Sequence, residues 1–181
     1  MDFFEPLPFL LDPIPDFHAA GMPAGAEPEQ WIAEHPEPCE DLLRGFLRAG
    51  CQALRAPTLC ASHFCLPSCR DIPGLNRRLL QIAKNAAQPG IPVGGAVGPS
   101  GLFVPPHGET DFDDIYEGYR EQIRALAKAK ADFFILDGFH ALADLRAALL
   151  AARTTKLPVI VLMAVDATGR TMTGGSLLPG L

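Results

Sequence analysis

The feature that most restricts this chain is a regular alternation of continuous apolar runs with amphipathic stretches. Apolar runs occupy residues 51–58, 91–97, 132–136 and 157–165. Between and before them lie stretches whose apolar residues recur three and four apart, at 38–49, 74–88, 112–130 and 141–153. In the longest, Ile115, Tyr119, Ile123, Leu126 and Ala127 form one helical stripe. A strand that is apolar without alternation is buried on both faces, as in a parallel sheet covered by its crossover helices. A short strand at 8–12 brings the count to about five parallel strands alternating with helices, an α/β chain. Periodicity alone fits a doubly wound sheet and part of an eight-stranded barrel equally well.

The N-terminal segment has another character. Residues 1–38 hold eight prolines, which remove backbone donors and restrict their neighbours. The expected organisation is a proline-rich segment, 1–37, that includes the first strand and one helical turn near 28–34. Residues 38–181 follow as the regular α/β part of the same domain. The net charge of −6, with scattered Lys and Arg, argues against a nucleic-acid footprint. The longest apolar run falls well short of the roughly 20 residues a bilayer needs. The acidic start at Asp2 and Glu5 does not read as a secretory signal. Five cysteines, an odd number, fit a reducing compartment, so the expectation is a cytoplasmic protein that binds neither membrane nor nucleic acid.

In either architecture the ligand site lies at the carboxyl ends of the strands. Those ends fall at 12–16, 56–62, 98–101, 137–140 and 166–175. Gly98-Pro99-Ser100-Gly101 is followed by Pro105-Pro106-His107-Gly108, then Asp113-Asp114-Ile115-Tyr116 and Tyr119-Arg120-Glu121-Gln122. Later come Leu145-Arg146-Ala147-Ala148, the apolar run from Leu157-Pro158-Val159, Asp166, and Gly169-Arg170-Thr171-Met172-Thr173-Gly174. Arg48-Ala49-Gly50-Cys51 precedes a strand ending at Thr58. In order and spacing these segments resemble the second to fifth units of homocysteine S-methyltransferases.

The resemblance implies an incomplete (β/α)8 TIM-type barrel and transfer of a methyl group to the homocysteine thiol, giving methionine. It implies substrate-binding roles for Asp12, Thr58, Asp137 and Asp166, and a small-molecule thiol as substrate. It also implies zinc, which lowers the pKa of a bound thiol. In the family three cysteines hold that zinc, one after the sixth strand and an adjacent pair near the eighth. This chain has no Cys-Cys pair and ends just past the fifth strand, so the family's zinc ligands are absent. The strand ends also depart from the family pattern. Pro13-Ile14-Pro15 follows Asp12 where the family has Gly-Gly. Arg55-Ala56-Pro57-Thr58-Leu59 stands for Glu-Thr-Asn-Thr-Phe, and Asp137-Gly138 stands for Glu-Thr.

Three readings follow. The first is a homocysteine S-methyltransferase-like protein, incomplete or inactive alone. Five strands leave two open edges, so a complementing chain or a homo-oligomer is expected to cover them. The second is a non-catalytic partner or scaffold of a methyltransferase or corrinoid protein. The third is a small metal-binding protein using Cys60, His63, Cys65 and Cys69, four zinc-compatible side chains within ten residues. Plain free cysteines compete with that third reading. Asp137 with His140 is a weaker acid/base candidate. The glycines at 94–101 are too far from the next helix to cradle a phosphate, and close packing is expected of them. Trp31 is expected in the core or at an interface.

Overall fold

The computed structural model describes residues 10–13 and 16–176. Two helices come first, α1 (Pro28–Glu34) and α2 (Pro36–Arg48), each opening on a proline. Proline is favoured there because a helix's first N–H groups have no partner to lose. Strand β1 (Leu54–Ala56) follows, then α3 (Ile72–Ala86), β2 (Val93–Val97), α4 (Phe112–Lys128), β3 (Phe133–Phe139), α5 (Leu142–Arg153) and β4 (Val159–Met163). Side-chain caps start two of the helices. Asp71 accepts from Gly74 N at 2.8 Å ahead of α3, and Asp111 accepts from Asp113 N at 3.1 Å ahead of α4.

All strand pairs are parallel, and the order across the sheet is β1-β2-β3-β4. A doubly wound sheet reverses its strand order and carries helices on both faces. Here the order never reverses, and one hydrophobic core joins all five helices to one face of the sheet. Ile32, Leu43, Leu79, Ile123 and Ala147 meet Leu54, Val93, Val97, Phe134 and Leu136 in it. This is barrel architecture, and it removes the ambiguity that periodicity leaves. The opposite, inner face holds a small cluster of Ala53, Phe133 and Ile135, with Leu11 and Ile160 against it.

The described residues form four strands rather than five. Of the expected strand at 8–12, the described residues show one parallel bridge, Leu11 to Ala53, and residues 8 and 9 lie outside the described part. Gln52 supports it by donating its N–H to Leu10 O and accepting Leu10 N–H at Oε1, both at 2.9 Å. Pro13, just past it, brings no donor to continue a ladder. The observed helices match the expected stretches within about two residues, the usual fraying of helix ends. Trp31 packs on the core, its ring 6.5 Å from Phe17 and stacked on His35 at 5.1 Å.

The paired glycines of β2 serve close packing, one on each face. A Cβ on Gly94 would lie 2.5 Å from the Phe133 ring inside the barrel, and one on Gly95 would lie 2.8 Å from Leu126 of α4. Phe133 and Leu126 are fully buried, so neither has room to retreat. Gly94→Ala is therefore expected to cost about 1–3 kcal/mol through overpacking. A lowered urea midpoint is the measure, and adding Phe133→Leu is expected to return part of the loss.

Candidate functional site

The strand ends are held in place by buried polar groups. Thr58, just past β1, donates its hydroxyl to Ala96 O at 2.7 Å, and its own carbonyl accepts from Gln122 Nε2 at 2.7 Å. Ser100, in the loop after β2, donates both its N–H and its hydroxyl to Asp144, at 3.1 and 2.7 Å. Tyr119 donates its hydroxyl to the same carboxylate at 2.8 Å. Asp144 is buried, and desolvation raises its pKa, while the Ser100 and Tyr119 hydrogen bonds pull it back. This network clamps the β2 loop to α4 and α5. It accounts for the Gly98-Pro99-Ser100-Gly101 segment as architecture.

Asp12, Arg55 and Asp137 form a cluster at the mouth. Arg55 shares the inner face with Ala53, and Asp137 shares it with Phe133 and Ile135, by the two-residue period of strands. Arg55 Nη1 donates to Asp137 Oδ2 at 2.5 Å. Asp12 Oδ1 accepts from the Arg55 backbone N–H at 2.8 Å and lies 3.6 Å from Arg55 Nε. The carboxylates lie 43 and 82 residues from Arg55 in sequence, so the barrel alone brings the three together. Asp12 is fully buried, and desolvation drives its pKa up from 3.8 to about 7. Arg55 opposes this, but 3.6 Å is too long for a hydrogen bond, so desolvation wins.

An apolar cavity of about 400 Å³ opens beside this cluster. Arg55, Ala56 and Ala96 line it from the sheet, and Phe17, Met22 and Leu66 are among its apolar walls. Glu29 reaches into it from α1, with Oε1 accepting from Cys60 N at 2.8 Å, and burial raises its pKa. Cys60 and Cys65 line the same cavity, and their mutual interaction, first among the causes, lowers the pKa of Cys65 and raises that of Cys60.

Of the four residues with expected substrate roles, the structure brings two together, Asp12 and Asp137. The hydroxyl of Thr58 is taken by Ala96. Asp166 is exposed and closes its own turn, accepting from the N–H groups of Thr168 and Arg170 at 2.8 and 3.0 Å. Those bonds, the Arg170 one first, lower its pKa. His140 packs against Phe103 at 5.9 Å and Asp137 is taken by Arg55, so no Asp137–His140 acid/base pair is found among the described residues. The proposed metal set does not assemble either. His63 Nε2 pairs with Glu121 at 2.8 Å, and among the described residues no three His, Cys, Asp or Glu side chains are placed to hold a metal ion. Family zinc therefore has no fitting ligand set among the described residues. Arg55, Glu29 and Asp144 are the polar residues that strand-end reasoning passes over. Arg55 alone carried a signal, as a charge where the family pattern has the opposite one.

Residues 17–179 match the family model described as homocysteine S-methyltransferase. The chain belongs to the homocysteine S-methyltransferase family. Its fold is similar to that of the homocysteine methyltransferase MmuM from Escherichia coli. The metallated form superimposes with a TM-score of 0.76 at 16% identity, over 95% of this chain and 68% of that one. The apo form gives 0.73 at 17% identity, over 95% of this chain and 64% of that one. The oxidized form gives 0.79 at 16% identity, over 95% and 68%. No curated protein sequence matches the chain. Among the described residues, no helix is long and apolar enough to cross a membrane.

The raised Asp12 pKa sets a sign for pH dependence. A carboxyl with a higher pKa folded than unfolded binds its proton more tightly in the native chain. Its contribution to stability is therefore full below its unfolded value of 3.8 and is lost as pH rises through about 7. The loss is on the order of a few kcal/mol. Asp12→Asn keeps an acceptor for Arg55 N–H and is expected to remove this part of the slope. Urea midpoints measured from pH 4 to 8 on both proteins supply the comparison, since Glu29 and Asp144 titrate equally in each.

Proposed function

We propose that the chain forms the front part of a homocysteine S-methyltransferase site, with the Asp12–Arg55–Asp137 mouth receiving the amino acid and methionine as the product. The observation that supports this most is the family match over residues 17–179 together with the convergence of those three side chains on the inner face. Homocysteine would enter with its polar head at this mouth, where Asp137 and the Asp12 carboxylate already hold Arg55. The family's zinc supplies a thiolate at neutral pH when bound. No step through it is assigned to the described residues, because none of them forms its ligand set.

The edge of the sheet supports a need for further strands. β3 is buried over most of its length, but β4 is half-covered, with Val161 40% and Leu162 39% exposed and Val165 just beyond it 41% exposed. Apolar side chains on a strand paired along one edge only call for a neighbour on the other. We assign that neighbour to complementing βα units that also bring the zinc ligands, rather than to a second copy of the same half. A non-catalytic scaffold is the second reading, favoured by the ion pair that already engages Arg55 with Asp137 inside the mouth.

Calorimetric titration is expected to detect homocysteine binding to the chain alone. Methionine is expected only after zinc and units carrying the Gly-Gly-Cys-Cys pattern are added, with S-methylmethionine, betaine or a methyl-corrinoid as donor. A folded chain that takes up no homocysteine and yields no methionine in any mixture would sink the enzymatic reading and leave the scaffold.

A further inference from the structure

The cysteines are reactive side chains that the homocysteine reading leaves unused, and all five are free thiols. Cys60 and Cys65 stand apart by their placement. Both are half-buried and both line the 400 Å³ cavity, where their side chains interact with one another. The segment that carries them is pinned from several sides. Leu59 O accepts from Gly98 N at 2.8 Å, Cys60 N donates to Glu29 Oε1 at 2.8 Å, and Ala61 O accepts from Asn76 Nδ2 at 2.6 Å. Ser62 N donates to Cys60 O and Leu66 N donates to Ser62 O, both at 2.9 Å, so the chain turns back on itself between the two cysteines. A disulfide needs its sulfurs at about 2.05 Å. Two side chains that already interact can reach that separation by rotating about their own bonds, with the pinned backbone in place. Cys39 lines the cavity as well, but it is fully buried, and burial pushes its thiol up to about 12. Cys51 and Cys69 do not line it.

We propose that Cys60 and Cys65 form a redox-active dithiol that a neutral hydroperoxide closes to a disulfide, with Cys65 as the attacking group. The thiolate is the nucleophile in such chemistry, and the interaction with Cys60 favours it at Cys65. The Cys65 thiolate attacks the terminal peroxide oxygen. An S–O bond forms, the O–O bond breaks, and the alkoxide leaves and takes a proton from water to become an alcohol. Cys65 is then a sulfenic acid. The Cys60 sulfur attacks the Cys65 sulfur, the S–S bond forms, the S–O bond breaks, and the hydroxide leaves with the Cys60 proton as water. Two thiols lose two electrons and the peroxide gains them. The cavity selects the oxidant. Asp16, Glu27 and Glu29 outnumber Arg55 and His18 around it and disfavour an anionic oxidant such as glutathione disulfide. A neutral hydroperoxide meets no such repulsion, and the walls of Phe17, Ile32 and Leu43 suit its organic group. The pair follows β1, away from the family's zinc positions after the sixth strand and near the eighth, and the proposal uses neither zinc nor homocysteine.

Cumene hydroperoxide tests it on the full chain. After brief exposure the remaining thiols are alkylated and the chain is digested with trypsin. The peptide 56–70 holds Cys60, Cys65 and Cys69. It is expected to carry an alkyl group on Cys69 alone and to lack two hydrogens at Cys60 and Cys65. Reduction before alkylation is expected to restore alkylation of all three. Cys60→Ser is expected to hold Cys65 at the sulfenic acid, which dimedone captures. Cys65→Ser is expected to leave Cys60 unoxidised. Glutathione disulfide at the same concentration is expected to close the pair about tenfold more slowly or worse. Should the variants unfold, the unaltered chain in urea is the second readout, and the preference for the 60–65 pair is expected to vanish there. The proposal is overturned by a peptide alkylated at all three cysteines without reduction, or by a disulfide that joins Cys39 or Cys69 instead. A Cys60→Ser chain without dimedone on Cys65, oxidation of Cys60 in Cys65→Ser, equal closure by glutathione disulfide, or equal closure in urea overturns it as well.

Discussion

A parallel strand has two faces, and each must be covered for the strand to persist in water. That requirement organises the molecule. Five helices cover the outer face and share one core with it, and the inner face relies on a few large side chains. Phe133 fills the inside because Gly94 of the adjacent strand yields its volume. Where cover runs out, at β4, apolar side chains stand half in solvent. The same requirement leaves only the carboxyl ends of the strands free for chemistry, since both faces elsewhere are committed to packing.

At those ends the polar residues divide their work. Thr58, Gln122, Ser100, Tyr119 and Asp144 bond to the protein itself and fix the loops. Asp12, Arg55 and Asp137 bond to one another but not completely, so they keep capacity for something else. A buried guanidinium with carboxylates on two sides is costly to desolvate, and a packed apolar trio would serve stability as well or better. The cavity beside it adds apolar volume within reach of the same arginine.

Much of the fold was legible because burial leaves a period in the sequence. The stripe from Ile115 to Leu126 is buried as a helical face, and the run at 132–136 lies inside β3. Other parts were not legible, for local reasons. Of the strand expected at 8–12, the described residues show the Leu11–Ala53 bridge, and residues 8 and 9 lie outside them. Four metal-compatible side chains at 60–69 look like a site on paper. In space His63 turns to Glu121 on α4, while Cys60 and Cys65 turn into the cavity. Asp166 looked like a strand-end ligand but is consumed by the turn it starts. Arg55 is not legible as a site residue because its charge is opposite to that of the family pattern and its partners lie 43 and 82 residues away.

The sequence by itself determined the elements, their order and the family. These follow from which residues must leave water and at what spacing, and that information is local. Only the tertiary structure decided that the sheet is a barrel segment, because strand order and the side of each helix depend on contacts far apart in the chain. It alone decided the site as well. Asp12, Arg55 and Asp137 meet because three strand ends converge on one inner face. Charge pairing over 43 and 82 residues has no period to read.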